Sequence, residues 1–159
     1  MFSVVQFTLG QEKSKKQLKA EQELKKQEEI TALVDSKSFE FSANYAQPLG
    51  VRDLNIQGQQ YGVVFKPDEI NSYLPYFGRA YNISYGGDDG LKFKGAPLDY
   101  KMEKKKKFYL ITTTVKGTND TFNLMVSVYF QGNATLNITS NQRNPITFTG
   151  TIAEIKNKQ

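Results

Sequence analysis

The sequence predicts an α+β domain: a single antiparallel, curled β-sheet meander, half-barrel or sandwich-like, with an N-terminal polar helix packed at its side or end. Three observations predict it. The first third of the chain is rich in Lys, Glu and Gln, and the composition turns β-like beyond about Ser38. From there, apolar and polar residues alternate at the period of a half-buried strand. Short turn signals separate the successive runs, a spacing that suits antiparallel neighbours.

With 159 residues, the chain has room for one domain with a real core. The opening run from Phe2 to Leu9 is too short to cross a bilayer, which takes about 20 residues. It reads as the end of a secretory apolar segment, with Thr8 and Gly10 as small residues at a cleavage site and Gln11 as the new N-terminus. Val5, Phe7 and Leu9 also alternate with Gln6 and Thr8, so a β-strand is the other reading. The expected organisation is a signal-peptide remnant over 1–10, a charged helical segment over 11–37 and an antiparallel β-rich domain over 38–159. The expected location is periplasmic or secreted, after signal-peptide removal.

Glu12 to Asp35 contains no Pro or Gly and is built from good helix formers. Glu12 with Lys16 and Glu21 with Lys25 are i,i+4 pairs in the favourable orientation. Leu18 and Leu24 share no narrow stripe, whereas Ile30, Leu33 and Val34 fall on one face. The helix should therefore dock only by its last turns. Sustained apolar heptads are missing, which argues against a coiled coil.

Strands follow. Phe39, Phe41 and Ala43 alternate with polar residues until Pro48 and Gly50. Leu54 and Ile56 suggest a second strand, and Tyr61, Val63 and Phe65 a third, ended by Pro67-Asp68. Tyr109, Ile111, Thr113 and Val115 lead to a turn at Gly117 to Asp120. Phe122, Leu124, Val126 and Val128 line the next strand. Gly132-Asn133 is a hairpin signal before Leu136 and Ile138. A last strand carries Ile146, Phe148 and Ile152.

The chain contains neither Cys nor His. That removes thiol nucleophiles, disulfides, the commonest zinc ligands and the usual general base near neutral pH. No Gly-rich phosphate loop and no GxSxG elbow is present. The formal charge of +5 is modest, and Lys104 to Lys107 is the one dense run. It reads as a solvated turn, and no nucleic-acid partner is expected. Asp88 and Asp89 in "GGDDG" are the weak candidates for a hard cation, although Asp-Gly is ordinary turn chemistry. No cofactor is expected.

The densest stretch is "SYLPYFGRAYN", Ser72 to Asn82. Tyr73, Tyr76, Phe77 and Tyr81, with Tyr85 just beyond, are too many rings to leave in water. One reading is an aromatic plug with Arg79 bonded to nearby carbonyls. The other is an aromatic-lined cleft in which Arg79 recognises an anion. "SYLPYFGRAY" and "TSNQRNPITFTG", the latter at Thr139 to Gly150, resemble the signatures of the bacterial family catalogued as domain of unknown function 4251. The resemblance covers about Gln11 to Ile152. It implies a small exported protein with a β-rich domain, and it implies no catalytic residues.

The functional expectation is a non-catalytic exported binding or structural module. Its partner would be an envelope protein or a small polar or anionic ligand. A site, if present, would lie between the two motifs, with Arg79 and Arg143 meeting the ligand and Tyr73, Tyr76 and Tyr81 as stacking surface. The alternatives are a carboxylate-based hydrolase acting on glycans and an envelope protein whose polar helix is a partner-binding arm.

Overall fold

The computed structural model describes residues 14–77 and 90–157. Helix α1 spans Lys15–Ser36. Ser14 caps it through a reciprocal pair: its hydroxyl accepts from the Gln17 backbone N–H, and the Gln17 side chain accepts from the Ser14 N–H, both at 3.3 Å. Lys37 ends it in the left-handed conformation, φ 56°. Every residue from Lys15 to Lys26 is exposed, and only Ile30 and Val34 are fully buried. These two, one turn apart, are the apolar contact the periodicity predicts.

A polar bond adds to that docking. The Thr31 hydroxyl donates to the Gln27 carbonyl at 2.7 Å, so its oxygen is left to accept from the buried Tyr109 hydroxyl at 2.8 Å.

Among the described residues, ten strands form one antiparallel sheet: β1 (Phe39–Pro48), β2 (Leu54–Asn55), β3 (Gly62–Phe65), β4 (Ile70–Pro75), β5 (Gly90–Gly95), β6 (Pro97–Lys104), β7 (Phe108–Lys116), β8 (Thr121–Tyr129), β9 (Asn133–Ser140) and β10 (Ile146–Ala153). The expected second strand shrinks to the two residues of β2. The stretches that form β5 and β6 carry no strand expectation.

The order is β5-β4-β3-β1-β10-β9-β8-β7-β6, with β2 alongside β1. The two ends of this path, β5 and β6, are separated in sequence by Ala96 alone, so they lie within about 7 Å of each other. Every pair is antiparallel. β5 is three steps from β1 and β6 is five, so both run opposite to β1 and parallel to each other. They are two halves of one extended run that leaves β4 and joins β7, which is how a strand turns a corner between sheet halves. The sheet is thereby curled into a nearly closed half-barrel. Across the seam, Phe93 of β5 stacks on Phe122 of β8 with centroids 4.1 Å apart and planes 10° from parallel.

The interior is apolar. Phe39, Phe41, Phe65, Leu74, Ile111, Val126, Leu136 and Phe148 are among its fully buried side chains. Alternation places them inward and their polar neighbours outward on β7, β8 and β9. Among the described residues, two bulges interrupt the pairing. In β1 the register shifts between Ala43 and Tyr45, and in β6 it shifts between Leu98 and Lys101. At the second, Asp99 takes φ 51° and the buried Thr113 hydroxyl donates to the Leu98 carbonyl at 2.9 Å.

Two glycines press on β1 from opposite sides. A Cβ on Gly62 would overlap the Phe41 carbonyl oxygen, and one on Gly150 would overlap that of Ser42. Tyr100 follows the β6 bulge. Its hydroxyl is buried with no hydrogen-bond partner among the described residues, and the Lys37 ammonium lies 4.9 Å from its ring centroid.

The packing makes both features testable. Gly150→Ala should lower the unfolding free energy by about 2–3 kcal/mol in urea titration, because β10 or β1 must move to admit the methyl group. Burial pushes the Tyr100 hydroxyl up from 10.0 to about 12. The unfolded chain then loses this proton before the folded one does. Stability from this group is complete below pH 10 and is lost as pH rises towards 12. Tyr100→Phe should therefore show a shallower alkaline loss of stability than the parent. At neutral pH it should match or exceed the parent by up to about 1 kcal/mol, because it removes an unpaired buried hydroxyl.

Candidate functional site

The first motif straddles the end of β4. Strand alternation sends Ser72 and Leu74 inward and Tyr73 outward. The buried Ser72 hydroxyl donates to the Leu91 carbonyl of β5 at 2.8 Å, tying β4 to its neighbour by a side chain as well as by the ladder. Tyr73, 51% exposed, stacks on Tyr61 with centroids 5.6 Å apart. The Lys92 ammonium lies 5.0 Å from the same ring. Phe77 is 44% exposed.

Tyr76 behaves differently from Tyr73. Its ring is half-buried against the core, and its hydroxyl donates to the Asn144 carbonyl at 3.2 Å. Asn144 belongs to the second motif, in the loop between β9 and β10. Beside it, Arg143 places its guanidinium 5.1 Å from the Tyr76 ring centroid and donates from Nη1 to the Gly90 carbonyl at 2.7 Å. In the same loop, the Gln142 amide donates to the Asn119 carbonyl, in the turn between β7 and β8, at 2.8 Å.

One five-residue loop thus reaches β5, the end of β4 and the β7–β8 turn. The guanidinium is suited to this, since its planar face can stack while its edge donates. Gly90 itself is closely placed: a Cβ there would lie 2.9 Å from the Leu74 carbonyl oxygen.

The candidate residues therefore divide. Tyr76 and Arg143 meet. Tyr73 faces the outer surface with Tyr61 and Lys92, on the opposite side of the sheet from Leu74. Arg79, Tyr81, Asp88 and Asp89 lie outside the described residues. Among the described residues, no group of three acidic side chains gathers as a metal site. Glu103 is fully exposed, and a hydrogen bond from Lys105 holds its carboxyl below the usual range. Gly90 and Asn144 carry no signal in the sequence, because both act through backbone carbonyls that any residue has.

A crystal structure of a DUF4251 family protein from Bacteroides eggerthii DSM 20697 has the same fold, with a TM-score of 0.63, 17% sequence identity, and coverage of 81% of this chain and 87% of that one. No curated protein matches the chain. The family model described as Domain of unknown function (DUF4251) matches residues 21–152, from within α1 to the penultimate residue of β10. Because that match takes in both motifs and the sheet that brings them together, the chain belongs to the DUF4251 family.

Proposed function

We propose that this protein is a non-catalytic exported module, periplasmic or secreted, whose paired motifs serve as a structural clamp and whose ligand contacts lie elsewhere on the sheet. One observation carries the reading. The Arg143 guanidinium is turned to a backbone carbonyl, that of Gly90, and is stacked on Tyr76. An arginine holding its own scaffold in this way is spent on folding, where an anion-binding arginine would present its fork to a cleft.

Export is supported by the apolar run at Phe2 to Leu9 followed directly by a charged segment, and a chain without Cys suits either location. A non-catalytic role is supported by the lack of His and Cys and of any nucleotide or nucleophile motif. The exposed, polar stretch of α1 from Lys15 to Lys26 supports a second reading, in which that stretch is an arm for an envelope partner.

Arg143→Ala should lower the unfolding free energy by about 2–3 kcal/mol, because it removes a charged hydrogen bond and a cation–π interaction at once. Arg143→Lys should recover less than half, because an ammonium cannot stack flat and donate from its edge. The check is urea unfolding beside calorimetric titration with phosphate and citrate. An Arg143→Ala variant as stable as the parent, but unable to bind an anion that the parent binds, would make this residue a ligand group and overturn the clamp.

A further inference from the structure

We propose that the outer face of β6 to β9 binds a neutral carbohydrate, a proposal that rests on the binding-module reading above and names its ligand class. The face carries a groove of about 370 Å³, within the size range of small-ligand sites. Its lining includes Asp99, Lys101, Thr112, Asn123, Met125 and Asn137. These come from four strands and are brought into register by the ladder: Lys101 pairs with Thr112, Thr112 with Met125, and Met125 with Asn137.

Three features point to a neutral polyol. The first is charge. β8, β9 and β10 contain no charged residue, and β7 has only Lys116 at its end. Among the described residues, the groove is lined by one anion, Asp99, and one cation, Lys101, so it offers no net field to a polyanion.

The second is the set of hydrogen-bonding groups. Asn123 Oδ1 accepts from the Thr114 hydroxyl at 2.9 Å, which fixes the amide and turns its two N–H donors away. Asn137 Nδ2 donates to the Thr147 hydroxyl at 2.9 Å, which leaves its Oδ1 to accept. Together with the Thr112 hydroxyl and the Asp99 carboxylate, the groove presents both donors and acceptors. A sugar hydroxyl, which is donor and acceptor at once, is the ligand group that uses both.

The third is the wall. The β6 bulge, with Asp99 at φ 51°, puts two residues opposite Thr113 and brings Asp99 into the lining. Bulges commonly re-aim a side chain in this way beside a site. Met125, 46% exposed, supplies an apolar surface for the C–H face of a ring.

The test is titration of the full, isotope-labelled chain with cellohexaose, maltohexaose, xylohexaose and mannohexaose to millimolar concentration, followed by NMR. At least one of them should shift the side-chain amides of Asn123 and Asn137. Asn123→Ala and Asp99→Gly should each weaken that binding roughly tenfold, with thermal unfolding unchanged. Asp99→Gly suits the purpose because glycine keeps the left-handed backbone while deleting the carboxylate.

No shift with any of the four sugars overturns the proposal, as does binding that both variants leave intact. Binding of polygalacturonate alone, abolished in an Arg143→Lys variant that stays folded, overturns it and the clamp together, and leaves standing only that the protein is a binding module. Release of new reducing ends from any sugar would instead overturn the non-catalytic reading, and the amide shifts would still decide the groove.

Discussion

The fold depends on the crowding around β1. This strand has both edges occupied, by β10 along its length on one side and by β3 and then β2 on the other. At residues 41–43 the neighbouring strands approach so closely that only glycine fits, Gly62 on one side and Gly150 on the other. The bulge that follows, between Ala43 and Tyr45, adds local twist. The Ile56 backbone N–H donates to the Asn44 carbonyl at 2.9 Å, so the bulged residue's acceptor is used. Glycine and bulge together let a sheet bend sharply without breaking its ladder. The rest of the architecture follows from that bend, because it turns the β3–β4–β5 arm back towards β7 and β8.

A curled sheet still has two ends, and an exposed sheet edge is a template for unwanted pairing. Two devices manage the seam here. The covalent one is the run from β5 through Ala96 into β6, which makes the ends of the strand path neighbours by chain connectivity. The non-covalent one is the β9–β10 loop, with Arg143 on Gly90 and Tyr76 on Asn144. The seam is also packed, since Phe93 and Phe122 lie face to face. Meanwhile α1 packs at the other end of β9. Ile30 approaches Gly132, where a Cβ would lie 3.2 Å from its Cδ1, and Thr31 holds Tyr109. The helix and the clamp therefore secure opposite ends of the same strand.

Much of this is legible in the sequence, and the exceptions have physical reasons. Strands β7 to β10 are clear because each alternates and buries one face. The helix is clear too, including its docking by Ile30 and Val34, because the apolar stripe is confined to its last turns. β6 escapes sequence reading because its bulge breaks the alternation and because it is an edge strand, with nearly all of its residues exposed. β5 escapes it because six residues with only Leu91 and Phe93 inward make too short a pattern beside a glycine-rich stretch. At the candidate site, the two motifs can be paired from sequence but not oriented. Tyr73 and Tyr76 look alike in sequence. A strand's two-residue period carries Tyr73 outward, and the end of the strand at Pro75 frees Tyr76 to turn inward.

The distribution of charge bears on what the sheet is for. Charged residues make up 23% of the chain, so there is no shortage of them. They are concentrated on α1, on β6 and in the turns, including Lys104 to Lys107. The solvent-facing positions of β8, β9 and β10 could take Lys or Glu as readily as Thr, since a side chain there has water on one side. They carry Thr, Asn, Ser, Met and Tyr instead. These central strands are hydrogen-bonded on both edges, so they need no charge to repel a stray strand. Removing charge from this surface neither helps the ladder nor fills the core. What it does is lower the cost of desolvating the surface when something uncharged is laid on it. A face that is polar, uncharged and supported by a rigid sheet is suited to hydrogen-bonding a neutral partner. The clamp loop leaves the end of β9 and ties that strand to the β7–β8 turn and to β5.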